Sequence, residues 1–258
     1  MRHPLAKHPL AGAYARIDRA DVHFKELETI LDLFCRKEKD EFFSQTDLVA
    51  EKIPLKMRAG IRTDVRKTLK VPIEAAAVAG EIIYNLRSAL DYLIYELACY
   101  NFPRVPHNGT QFIMKASKAD TKSPSGDIIR GFDSEKKTRL KGLLAHQIKA
   151  IEDLQPYKGV TWTETIRDLS NPDKHRKLNA IAGEWRGSNF IGVGSPKRFE
   201  SGSCEVLPGM GVDGADLYVQ RNHAFSIEFE DGSPVLKTLE ILKREVRATI
   251  DAFKPEFK

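Results

Sequence analysis

Residues 72–100 carry the pattern that most restricts what this chain can become. With about 100° between successive residues around a helix axis, Ala79, Ile82, Ile83, Leu86, Leu90, Leu93, Ile94 and Leu97 fall on one broad apolar stripe. Pro72 suits a first helical turn, where its missing N–H leaves no bond unmade. Pro103 ends the run, because the residue before a proline is turned away from helical geometry. The spacing therefore predicts one long helix at the centre of the fold, with a stripe that other elements must cover.

The opposite side of that helix is unusual in composition. Glu81, Tyr84, Asn85, Ser88, Asp91, Tyr92 and Tyr95 form a continuous band, and Arg87 stands at its edge one turn before Asp91, the spacing of an ion pair. An ordinary solvated face would carry long Lys and Glu side chains. Short polar groups and tyrosines instead bury readily once hydrogen-bonded. The band is either a seam, in which Arg87, Asp91 and His175 join one buried network, or the lining of a site.

Flanking segments supply the cover. Over 18–42, Ala20, Phe24, Leu27, Leu31 and Phe34 recur three and four apart and predict an amphipathic helix, preceded by a tail over 1–17. DLVAEKIPLKM and AGIRTDVRKTLKVP lose the helical period and read as two short strands, their lysines and arginines forming a solvated face. Residues 101–134 are loop-like, with TQFIM as a short strand. A second amphipathic helix is expected over 133–154 on Leu140, Leu144, Ile148 and Ile151, and a third over 162–169. Asn171, Pro172 and Asp173 have the chemistry of a helix start, and the helix they open places His175 on the side of Leu178 and Ala182. Over 188–230 the texture turns to glycine and β-formers, with ADLYVQ and AFSIEFE as a hairpin turning at Arg221, Asn222 and His223. A final helix follows Pro234 on Leu239, Leu242, Val246, Ile250 and Phe253. The sum is a single α+β domain over 1–258: a mainly helical part over 18–187 containing the short N-terminal strands, then an antiparallel β layer and a last helix over 188–258.

Composition narrows the function classes. A chain of 258 residues, 41% hydrophobic and 30% charged, is globular, and no run approaches the length that spans a bilayer, so no membrane partner is expected. Cys35, Cys99 and Cys204 lie far apart without ligand spacing, which suits the reducing cytoplasm and small buried hydrophobes. The histidines show no HxxxH or HExxH spacing, so no metal is assigned. GVGSPKRF and GMGVDG lack the strand-and-helix setting of a dinucleotide loop, and no GxSxG or P-loop exists; no cofactor is implied. A net charge of +5 permits an acidic partner.

YNLRSALDYL at 84–93, LQPY at 154–157 and NPDKHR at 171–176 resemble motifs of a widespread family of uncharacterised bacterial proteins, a resemblance that covers roughly 18–182 and brings no activity with it. A more distant resemblance is to HEPN ribonucleases, helical proteins whose Arg-x4-6-His motif sits at a dimer interface and cuts RNA without metal. Arg87 stands in the arginine's place, and Tyr92 occupies the nearest position for the histidine. That resemblance implies a homodimeric, metal-independent ribonuclease in which Arg87 stabilises the phosphate and His175 supplies the acid and base. The residues themselves favour a binding or interaction protein that holds RNA or DNA, with Tyr84, Asn85, Arg87, Asp91, Tyr92, Asp173, His175 and Arg176 as its contacts.

Overall fold

The computed structural model describes residues 8–46, 65–104, 108–170, 179–187, 203–207 and 217–258, with side chains over 8–37, 71–104, 108–170 and 227–258. In chain order the elements are α1 (Ala11–Thr46), β1 (Val65–Lys70), α2 (Ile73–Asn101), β2 (Thr121–Lys122), β3 (Ile128–Ile129), α3 (Phe132–Arg139), α4 (Ala145–Asp153), α5 (Thr161–Leu169), β4 (Asn179–Gly187), β5 (Ser203–Leu207), β6 (Leu217–Glu228) and α6 (Val235–Phe253). The class is α+β. The chain folds as two compact units, one of Met1–Thr29, Ile73–Lys177 and Val235–Lys258, the other of Ile30–Pro72 and Leu178–Pro234. The units therefore interleave along the sequence, whereas the pattern of residues alone suggests one domain with its β layer at the end.

The first unit is organised by α2. Every member of its apolar stripe is buried, and Leu86, Leu90, Leu93, Ile94 and Leu97 are wholly so. The final helix, α6, packs against it with Leu239, Leu242, Val246, Ile250 and Phe253, all buried, as their spacing predicts. The start of α1 closes the core with Leu10, Ala13, Tyr14 and Ile17, also buried. The expected tail over 1–17 is thus corrected from residue 11 onward. Ala11, Gly12 and Ala15 carry little hydrophobic signal, but Leu10, Ala13, Tyr14, Ile17 and Ala20 continue the stripe one helical period back. Polar contacts tie α1 to α6: the Tyr14 hydroxyl donates to Asp251 over 2.5 Å, and Lys243 reaches Asp21 at 2.7 Å while lying 4.0 Å from the Phe24 ring centroid. Burial, then the Asp251 carboxylate, push the Tyr14 phenol above its ordinary value, so it stays a donor.

The expected helix over 133–154 is two helices. Its apolar spacing is helical throughout, but Gly142 takes φ +90°, a conformation open chiefly to glycine, and breaks it into α3 and α4. Leu144 is consequently exposed. Gln147, 1% exposed, joins the corner: its carbonyl oxygen accepts from the Leu144 amide (3.0 Å) and from Asn101 Nδ2 (2.8 Å), and its Nε2 donates to Glu256 (2.8 Å).

The second unit holds a fully antiparallel sheet in the order β1-β4-β6-β5. Of the two strands expected before α2, the one in DLVAEKIPLKM lies outside the described residues; a strand is seen at Val65–Lys70. The helix expected to run through Ala182 is corrected, because Asn179–Gly187 is a strand paired on both sides, with β1 and with β6. The hairpin expected at Arg221, Asn222 and His223 is corrected too. Leu217–Glu228 is one continuous strand whose Arg221 faces Arg186 on one side and Ser203 on the other. A turn there would forfeit two ladders, so long-range pairing overrides the local turn preference of Asn. Phe34 packs here with Cys35, Val71 and Ile227.

Within 101–134, β2 and β3 form a small hairpin that stands out from the first unit. Its base is a close crossing: a Cβ on Gly131 would sit 2.3 Å from the carbonyl carbon and oxygen of Ala119. The Gly131 amide donates to Asp120 Oδ1 (2.8 Å), and the Phe132 and Asp133 amides donate to the carbonyls of Ser117 and Lys118, each over 3.0 Å. The Ser134 hydroxyl and then the Gly131 amide hold the Asp120 carboxyl below the usual carboxylate range. A group depressed in the fold contributes stability above its unfolded pKa, near 4, and loses it as pH falls through the depressed value. The amide proton shift of Gly131, followed by NMR from pH 6 downward, is accordingly expected to move in the acid range as the hairpin base loosens. Asp120→Asn is expected to abolish that titration.

Candidate functional site

The outer face of α2 is exposed along much of its length. Tyr84 is 60%, Tyr92 38% and Tyr95 47% accessible, an arrangement that leaves large rings in solvent where lysines would ordinarily stand. By helix geometry Tyr84 and Tyr92 are about 12 Å apart along the axis, with Tyr95 a further turn on.

On one side the first turns of α1 form a wall. Gly12 allows the approach, since a Cβ there would meet the Tyr92 ring at 3.1 Å. Arg16 then lies over both rings, its guanidinium carbon 5.9 Å from the Tyr84 centroid and 5.6 Å from that of Tyr92, within cation–π range. Its Nη1 donates to Asn85 Oδ1 over 3.3 Å, and Asn85, 2% exposed, donates back to the Glu81 carbonyl over 2.8 Å. The buried amide thus fixes the cation between the rings.

On the other side runs the segment at Phe112. Asp91 Oδ1 accepts from the Phe112 amide (2.8 Å), and Arg87 Nη2 donates to the Phe112 carbonyl (2.6 Å). Arg87 Nε lies 3.8 Å from Asp91 Oδ2, so the pair grips both polar groups of one residue. The strand expected at TQFIM is corrected: Phe112, Ile113 and Met114 are buried, but the segment belongs to no ladder. Side chains supply what a neighbouring strand would. Gln155, wholly buried, donates to the Ile113 carbonyl (2.8 Å) and to Ile151 (3.0 Å), and accepts from the Lys115 amide (2.9 Å). Desolvation lowers the Arg87 pKa against the pull of Asp91, and it raises that of Asp91 against Arg87 and the Phe112 amide. The Phe112 peptide and the opposite charge hold each side chain in place.

The structure brings Tyr84, Asn85 and Tyr92 together around Arg16, and brings Arg87 and Asp91 together on Phe112. Asp173, His175 and Arg176 lie outside the described residues. Arg16 and Gln155 went unread in the sequence. Gln155 has a signal in LQPY, whereas Arg16 lies in the segment whose spacing predicts a tail. Among the described residues no group of three or more His, Cys, Asp or Glu side chains is placed to hold a metal ion. Comparison with protein-family models, with curated proteins and with solved structures finds no match to this chain.

Arg87→Met leaves the Phe112 carbonyl without its donor and Asp91 without its ion-pair partner, and is expected to destabilise the protein by about 2 kcal/mol in urea unfolding. In a double-mutant cycle with Asp91→Asn, a coupling of about 1 kcal/mol is expected if the two side chains act as one clamp.

Proposed function

We propose that the first unit is a binding module that takes single-stranded RNA or DNA along the outer face of α2. The observation that carries this reading is the row Tyr84, Arg16 and Tyr92: two exposed rings with a guanidinium held over both by a buried asparagine. Aromatic faces stack on bases of any sequence, and arginine adds cation–π attraction and a charge for phosphate. The walls formed by α1 and by the Phe112 segment flank this row, which suits an unpaired strand. The net charge of +5 favours such a partner.

The ribonuclease reading of the same helix asks Arg87 to meet a phosphate. Its guanidinium is already committed to the Phe112 carbonyl and to Asp91, which supports binding without cleavage. No described helix is long and apolar enough to cross a membrane. The free Cys35 and Cys99 suit a reducing compartment, and we place the protein in the cytoplasm.

The test is filter binding of labelled single-stranded RNA and DNA across a salt series. Binding that weakens steeply with salt is expected, and Tyr84→Ala and Tyr92→Ala should each reduce affinity about tenfold, the order of one lost base stack. Tyr84 is exposed enough that its removal leaves the fold intact, so full affinity in that variant would sink the proposal, as would binding insensitive to salt.

A further inference from the structure

The β2–β3 hairpin is built with care and buries almost nothing. Residues 121–130 are exposed apart from half-buried Ser123, yet the turn is closed by the Ser123 amide on the Asp127 carbonyl (2.8 Å) and the Gly126 amide on the Ser123 carbonyl (2.9 Å). The Ser125 hydroxyl bonds Asp127 Oδ2 (2.6 Å), and Gly126 takes φ +90°. Hydrogen bonds at turn and base hold in water an element that carries Ile128 at 70% and Ile129 at 50% exposure. Ordering without burial is the signature of a preorganised contact.

Successive strand residues point to opposite faces, so the two isoleucines make the hairpin apolar on both sides. Lys122 lies directly across from Ile128, and Arg130, two residues beyond Ile128, falls on its side. A plug for one acyl layer would present its apolar groups in one direction. A blade apolar on both faces, with Lys122 across from Ile128, Arg130 after Ile129 and the Asp127 carboxylate turned to Ser125, fits between two stacked bases, with lysine and arginine meeting the phosphates. The hairpin is also tethered to the candidate site. Only eight residues separate Phe112, gripped by Arg87 and Asp91, from Thr121, nine steps that span at most about 32 Å of extended chain. That reach is about one turn of duplex.

We propose that the hairpin is a wedge for the end of a duplex, so that the preferred ligand is a nucleic acid in which a single strand leaves a paired region. The proposal rests on the reading of α2 as the single-strand site. Its test compares a labelled single strand with the same strand extended into a short duplex, for the wild type and for Ile128→Ser/Ile129→Ser. The wild type is expected to bind the tailed duplex about tenfold more tightly, and the double variant to lose that preference while keeping its single-strand affinity. Because both side chains are exposed, the variant keeps its core, and an unchanged Gly131 amide shift verifies the hairpin base. Lys122→Ala/Arg130→Ala is expected to weaken the preference and its salt dependence together. Equal wild-type affinity for the two ligands, or a preference that survives the isoleucine change, overturns the wedge alone. Absence of salt-dependent binding to either ligand overturns the α2 reading and the wedge with it. Binding to phosphatidylserine vesicles that depends on Ile128 and Ile129, with no duplex preference, assigns the blade to lipid and overturns the proposal.

Discussion

The peptide at Phe112 is where much of the first unit is decided. A non-helical segment with buried side chains normally satisfies its amides and carbonyls in a sheet, and an unpaired one would be penalised by roughly 1–3 kcal/mol per group. Here Asp91 accepts from the Phe112 amide and Arg87 donates to its carbonyl, and Gln155 serves Ile113 and Lys115. Because those donors and acceptors stand on a rigid helix and at the end of α4, they fix where the segment lies. It in turn bounds the exposed face of α2 and roots the hairpin that follows. Two motifs far apart in sequence, around Arg87 and around Gln155, thus have one architectural task.

This resolves part of the choice between seam and site that the polar band posed. A seam and an exposed face occur on one helix, separated by angle. Asn85, Arg87 and Asp91 turn toward flanking segments and are taken up by them, while Tyr84 and Tyr95 lie between those flanks in solvent. Ion pairing at one-turn spacing identified Arg87 and Asp91 as partners, but spacing is silent on a third party. The Phe112 carbonyl, 25 residues away, could not be read from it.

Legibility followed the range of the forces involved. Periodic apolar stripes read correctly in α2 and α6, since burial of one helical face is a local pattern with a global cause. Boundaries failed where the signal was conformational: Gly142 looks like any glycine until its positive φ is known. Strand content failed where pairing decided it, as at Arg221, Asn222 and His223, whose turn-forming chemistry yields to pairing with β4, joined at Arg221 by β5 on the other side. Arg16 failed for a different reason. Its neighbours Ala11, Gly12 and Ala15 carry little hydrophobic signal, and a half-buried arginine beside them belongs to no apolar stripe.

The placement of Arg16 also bears on how a ligand would be discriminated. An arginine placed over two rings and without a carboxylate partner among the described residues keeps its charge available, whereas Arg87, one turn further along α2 from Tyr84, has given its donors to the fold. Two arginines of the same unit therefore differ in role: the desolvated one shapes the wall, and the one over the tyrosines would face a ligand on the proposed reading. Replacing either by lysine would not be conservative, because the first grips a carbonyl and lies beside a carboxylate through separate nitrogens, and the second depends on a planar cation lying over aromatic rings.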